Sequence, residues 1–139
     1  MPLSKEKEQE YIEKVRKNPF YLKRIKIMDR TEAICLEAVK QDCRALQYVA
    51  KQTTEMCLEA IRQNPHTILF VKEQPYELCL EAVRRDGYAI KRISKQTYEL
   101  CLEAVKQEGR AIQFIKNPTP ELCMIAYEQN PEVEKYFNL

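Results

Sequence analysis

The 139-residue chain is 45% hydrophobic and 32% charged, long enough for one ordinary core and balanced like a soluble protein. Two glycines leave no room for a glycine-rich phosphate cradle or a turn-dense β fold, and no apolar run nears the roughly 20 residues that span a bilayer. A net charge of +2 is too small to announce a nucleic-acid binder, and the charged opening MPLSKEKEQEYIEKV is no secretory leader, so a cytoplasmic location, in a bacterial or host-cell cytosol, is expected.

The chain begins with a divergent copy of a unit that then recurs. Asn18-Pro19 matches Asn64-Pro65 if two extra residues sit between Ile25 and Cys35, which puts Tyr11 where later copies carry cysteine. Cysteines then fall at 35, 57, 79, 101 and 123, each 22 residues after the last. The same step carries alanine (38, 60, 82, 104, 126) and a larger apolar residue (Val39, Ile61, Val83, Val105, Tyr127). A fixed period of this order marks a stacked repeat array.

Each unit reads as two short helices. In TTEMCLEAIRQN, Thr53 is placed to cap the first helix, and Glu55 puts negative charge in its first turn. Thr97 and Glu99 repeat the arrangement, as do Thr119 and Glu121 with Pro120 at the first helical position. Cys57, Leu58 and Ile61 then form one inward stripe. Breaks at Asp42-Cys43, Asn64-Pro65, Asp86-Gly87, Glu108-Gly109 and Asn130-Pro131 end the first helix and open a second. GRAIQFIK is such a second helix, with Ala111, Ile112 and Ile115 inward and Phe114 at the edge.

Helices this short need neighbours to be stable in water. Charge replaces apolar residues in the outermost copies, Lys14 for alanine in the first and Glu134 for Ile112 in the last, as terminal caps require. The expectation is one all-α domain over 1–139, a right-handed α-solenoid of about six 22-residue helix-turn-helix repeats. Its N-terminal cap covers about 5–27, its central repeats 31–119 and its C-terminal cap 120–139.

The phrases CLEAVKQDCRALQYV and CLEAVKQEGRAIQFI resemble the repeats of the bacterial and viral family of domain of unknown function 4116. The resemblance covers about Glu32 to Phe137. It implies tandem helical hairpins and implies no activity.

The periodic cysteines suit a core better than a metal or disulfide. Equivalent helices in a stack lie about 8–10 Å apart, a disulfide needs Cα atoms within about 6.8 Å, and a zinc site needs converging ligands. No C-x-x-C pair occurs. Cys43, at a helix N-terminus beside Arg44, reads as a tolerated surface substitution or, less simply, as a reactive thiol. Glu13, Glu37, Glu59, Glu81 and Glu103 form a column, each with a base three residues on, which reads as solvated i,i+3 pairing and not acid–base catalysis. With one histidine and no nucleophile, phosphate-loop or metal motif, no enzyme, catalytic residue, cofactor or metal is expected.

Charge is unevenly placed. The first-helix segments total −7 and the second-helix segments +9, so one face should be acidic and the other basic. The basic face carries Arg24, Tyr48, Phe70, Arg92, Phe114 and Tyr136 in one row. Lys23, Gln47, Leu69, Lys91 and Gln113 form a second row, and Phe20, Arg44, His66, Tyr88 and Arg110 a third. Tyr48, Phe70 and Phe114 fit either a wide core or a surface; Arg24 and Arg92 are hard to bury and keep the surface reading open. Aromatic and arginine side chains supply interface hot spots. The candidate contact residues are Arg24, Arg44, Tyr48, Phe70, Tyr88, Lys91, Arg92, Arg110 and Phe114. The expected partner is a protein with an acidic surface, met by an adaptor or inhibitor such as a phage or mobile-element counter-defence protein. Nucleic-acid or nucleotide binding by the same face is the alternative, and no membrane partner is expected.

Overall fold

The computed structural model of the protein describes residues 2–137. Met1, Asn138 and Leu139, the extremes of the expected domain and of its closing repeat, lie outside the described residues. All regular structure among the described residues is helical. Six α-helices, α1 (Lys5–Lys17), α2 (Glu32–Gln41), α3 (Thr54–Gln63), α4 (Tyr76–Arg85), α5 (Tyr98–Gln107) and α6 (Pro120–Gln129), each lead into a six-residue helix. The six-residue helices are Pro19–Arg24, Cys43–Tyr48, Pro65–Phe70, Gly87–Arg92, Gly109–Phe114 and Pro131–Tyr136. The two extra residues of the first copy are taken up by a short turn of helix, Ile27–Asp29.

The chain forms two compact units, Met1–Lys72 and Glu73–Leu139. In the first, α1 packs on α2 and α2 on α3; in the second, α4 packs on α5 and α5 on α6. Each unit is therefore a stack of three hairpins with the packing of a helical-repeat solenoid.

The caps follow the sequence closely. Ser4, Thr31, Thr53, Thr97 and Thr119 each accept a hydrogen bond from a backbone N–H in the first turn of the α-helix that follows. Pro75 precedes α4 and offers no such bond. At the other end one residue serves two helices. The N–H of Asp42 donates to the Ala38 carbonyl, closing α2, while its carboxylate accepts from the Arg44 N–H, opening the next helix. Asn18, Asn64, Asp86, Glu108 and Asn130 do the same.

The second helix of every hairpin is 3₁₀, not α. Its backbone bonds span three residues, as from the Ala45 N–H to Asp42 O at 3.0 Å and from Val49 to Leu46 at 3.1 Å. With three residues per turn, side chains three apart eclipse. In Cys43–Tyr48 this sorts residues into columns: Cys43, Leu46 and Val49 are buried, Ala45 is buried beneath half-buried Tyr48, and Arg44 and Gln47 share an exposed column. The columns meet α2 and α3 in a core of Cys35, Ala38, Val39, Cys57, Ala60 and Ile61, all nearly inaccessible. Burying a side chain the size of Val39 or Ile61 contributes about 1.5–3 kcal/mol, and an alanine methyl roughly 0.8 kcal/mol.

The 3₁₀ helices also sit close against the next α-helix. A Cβ on Gly87 would lie 2.5 Å from the Ala104 carbonyl oxygen, so the absent side chain at this position reflects space and not backbone freedom. Cys43 holds the matching place in the first unit and donates its N–H to Gln63 Oε1 at 2.9 Å.

One column of linker residues, spaced 22 apart, ties the hairpins together. Arg30 Nη1 donates to Tyr48 O (2.7 Å), Gln52 Nε2 to Phe70 O (2.7 Å), Gln74 Nε2 to Arg92 O (2.9 Å) and Gln96 Nε2 to Phe114 O (3.1 Å). The glutamine Oε1 atoms in turn accept the N–H groups of Lys72, Ser94 and Lys116. Each glutamine thus serves both a carbonyl and an N–H left open near a helix end, while Arg30 serves carbonyls alone. Pro118 occupies the next place in the column. Replacing Gln96 by alanine strands the Phe114 carbonyl and the Lys116 N–H, and is expected to cost about 1–3 kcal/mol in urea unfolding. An unchanged midpoint would show that the clamp carries no load.

Candidate protein-interaction surface

The 3₁₀ geometry decides what the candidate residues can do. Tyr48, Phe70, Arg92 and Phe114 are the last residues of their helices, and each has its carbonyl held by a side chain 18 positions earlier. Their rings and guanidinium group are half-buried, neither core nor free surface. Arg24, Arg44, Lys91 and Arg110 are exposed, and Tyr88 is half-buried.

In the first unit, Phe20 meets Tyr48 edge to face, with ring centroids 6.2 Å apart and planes at 84°. The Arg44 guanidinium lies 5.0 Å from the centre of the Phe20 ring. Arg44 also grips Asp42, with Nη2 2.6 Å from Oδ2, and that cation holds the Asp42 carboxyl below its ordinary range. Arg24 enters no ion pair among the described residues.

In the second unit, Tyr88 meets Phe114 at 5.9 Å and 78°, and Lys91 Nζ stands 5.1 Å from the Phe114 centroid. Arg110 reaches Glu132 of the following hairpin at 2.7 Å. Burial, and then the nearby Glu108 carboxylate, push the Tyr88 phenol up from its usual range. The Nε of Arg92 is buried and donates to no partner. The structure thus assembles Arg44, Tyr48, Tyr88, Lys91 and Phe114 into ring-and-cation clusters, while Arg110 is engaged by Glu132 and covers no ring. It leaves Arg24 and Phe70 outside those contacts.

Phe20 was the contact partner least visible in the sequence. It stands on one hairpin and Tyr48 on the next, so their meeting depends on stacking and not on neighbouring positions.

The glutamate column pairs differently from the i,i+3 scheme. Glu13 does bind Arg16 three residues on, at 2.9 Å. Glu37, however, takes Arg16 from the preceding hairpin at 3.0 Å, and that contact lowers its carboxyl below the ordinary value. Glu103 takes Arg84 at 3.9 Å, and Glu81 binds Arg85 four residues on at 2.7 Å. Glu37 and Glu103 thus bridge neighbouring helices within their units, while Glu13 and Glu81 pair along their own helices.

Cys43 is not a surface substitution. It is buried against the end of α3, and burial, followed by the charge of Asp42, raises its thiol above the ordinary value. Arg44 pulls the other way and is outweighed. All six cysteines are free thiols; Cys35, Cys57, Cys79 and Cys101 are buried in the seam between hairpins, and Cys123 is half-buried. Burial pushes Cys35 up to about 11. Among the described residues, no group of three histidine, cysteine or acidic side chains could hold a metal ion, and no helix is long and apolar enough to cross a membrane. A cavity of about 290 Å³ between Ser94–Tyr98 and Lys116–Thr119, lined also by Cys101 and Leu122, contains none of the ring-and-cation residues. It falls at the small end of ligand pockets, which run from about 300 Å³ upward.

The sequence pattern of a protein family described as domain of unknown function (DUF4116) matches the chain twice in tandem, at residues 32–74 and 76–118. No curated protein and no solved structure matches the chain.

Thiol labelling of the folded protein should modify Cys123 first and leave Cys43 as slow as the seam cysteines. Rapid labelling of Cys43 would contradict its burial. Because folding raises the Cys35 thiol from 9.0 to about 11, its contribution is complete below pH 9 and disappears as pH rises toward 11, where the unfolded thiol ionises first. Urea unfolding should therefore show the native chain losing more stability over that window than Cys35→Ala. Equal losses would remove the thiol from the account.

Proposed function

We propose that this chain, which belongs to the DUF4116 family, is a non-enzymatic protein-interaction module that meets an acidic protein surface through its 3₁₀-helix face. The observation that carries this reading is the pairing of half-buried rings with exposed cations in both units. A ring set halfway into the surface is already ordered, so a partner gains its apolar area at little further entropic cost. The cations around it add reach and choice of partner, since exposed charges act on encounter and specificity more than on affinity. An adaptor or an inhibitor fits this surface, and a phage or mobile-element counter-defence protein acting in a cytosol is one concrete form.

A protein partner fits better than a nucleic acid. Phosphate binding draws on cations free to be neutralised. Segment 65–75 carries no net charge, which interrupts the positive run that a nucleic-acid backbone would follow. Arg44 and Arg110 each hold a carboxylate. The engaged arginines show a side chain geometry suited to carboxylates, and exposed pairs of this kind are worth only about 0–1 kcal/mol, so a partner's acid can replace them.

The test is affinity capture from the native host with Lys23→Glu/Arg44→Glu/Lys91→Glu/Arg110→Glu, all exposed positions and two in each unit, beside the unaltered chain. Half-buried Arg92 is left in place so that the fold is undisturbed. Partners held by the native chain should be lost from the variant and released by salt. Undiminished capture would count against this face. Tight binding of RNA or DNA with a steep salt dependence would replace the protein reading with the nucleic-acid one.

A further inference from the structure

The exposed rows have a period that the buried rows do not. Core positions repeat every hairpin, while outward positions of the first and second hairpins return in the fourth and fifth. Phe20 returns as Tyr88, Lys23-Arg24 as Lys91-Arg92, and Arg44 as Arg110. Gln47-Tyr48 returns as Gln113-Phe114. The second and fifth hairpins, CLEAVKQDCRALQYV (35–49) and CLEAVKQEGRAIQFI (101–115), share ten of these 15 residues. The second and fourth, the latter reading CLEAVRRDGYAIKRI (79–93), share seven.

The structure gives the rings and glutamines matching geometry, while the cation over a ring is Arg44 on Phe20 in the first unit and Lys91 on Phe114 in the second. The ring pairs Phe20–Tyr48 and Tyr88–Phe114 both stand edge to face, at 6.2 and 5.9 Å. Gln47 Nε2 donates to the Arg44 carbonyl at 2.9 Å, and Gln113 Nε2 to the Arg110 carbonyl at 3.1 Å. Each cluster lies wholly within one of the two compact units. Packing does not demand the likeness. The third and sixth hairpins put His66 and Glu132, or Leu69 and Lys135, at the same repeat positions.

We propose that the chain carries two equivalent copies of one binding site, one in each three-hairpin unit, and that each copy takes one acidic peptide segment of a partner protein. The proposal rests on the protein-interaction reading above and adds to it a number and a location. Two pairs of adjacent bases, Lys23-Arg24 and Lys91-Arg92, supply the charge that an acidic segment complements. Arg44 and Arg110 give each site a guanidinium that already donates to a carboxylate, that of Asp42 and of Glu132 respectively. The edge-to-face rings supply an apolar floor. A partner bearing two such segments, or a dimeric partner, would gain avidity from the second site.

The experiment uses the ¹⁵N-labelled full chain titrated at low salt with hexaglutamate, blocked at both ends, and with hexalysine as the charge control. Backbone signals of 44–48 and of 110–114 should both shift with hexaglutamate, with apparent Kd values within about threefold of each other. Lys23→Glu/Arg44→Glu should abolish the first set and leave the second; Lys91→Glu/Arg110→Glu should do the reverse. Shifts at one cluster alone would overturn the two-site proposal and leave the interaction reading standing. Shifts at neither cluster would overturn both. Equal shifts with hexalysine would also overturn the proposal, because the contacts would not be selecting acids.

Discussion

The arrangement depends on one recurrent set of hydrogen bonds, between a linker side chain and the end of a 3₁₀ helix. A helix that ends in the open leaves carbonyls without partners, and short helices have little else to hold them. Here Arg30, Gln52, Gln74 and Gln96 supply the missing donors, and the glutamines also accept a backbone N–H from the following linker. A primary amide can do both at once; a guanidinium only donates. That difference matches what is seen, since Arg30 spreads its donors over the carbonyls of Ile25, Lys23 and Tyr48.

The same bonds place the surface. The carbonyl that each clamp holds belongs to Tyr48, Phe70, Arg92 or Phe114, so a structural bond within each unit also anchors the backbone of a candidate contact residue. The threefold winding then raises these side chains over a buried small residue, Ala45, Thr67, Ala89 or Ala111, and tips them halfway out of the core. Cation–π contacts cover rings in both units. Rigidity of this kind suits a surface that presents rings to a partner, because the ordering has been done in folding.

Much of the fold was legible in the chain. The 22-residue step, the threonine caps, and the Asn or Asp that closes one helix and opens the next all announce themselves through local chemistry. The 3₁₀ winding did not, because six residues with apolar positions three and four apart suit either helix. The burial of Cys43 was hidden for a related reason: what covers it is α3, and Gln63, which binds its N–H, lies 20 positions on. The clamp column was in plain view as Arg30, Gln52, Gln74 and Gln96, but polar linker residues read as solvated until their partners are known. Likewise Glu37 looked paired with Lys40, whereas stacking brings Arg16 closer.

Among the described residues, these hydrogen bonds along the stack join residues 18 to 24 positions apart. Such a chain has low contact order within each unit. Little loop-closure entropy is lost before the first long-range bond forms, so folding can start at any adjacent pair of hairpins and spread by accretion. It also means that lengthening or shortening the chain by a whole hairpin disturbs only its immediate neighbours, a tolerance that proteins with distant strand pairings lack.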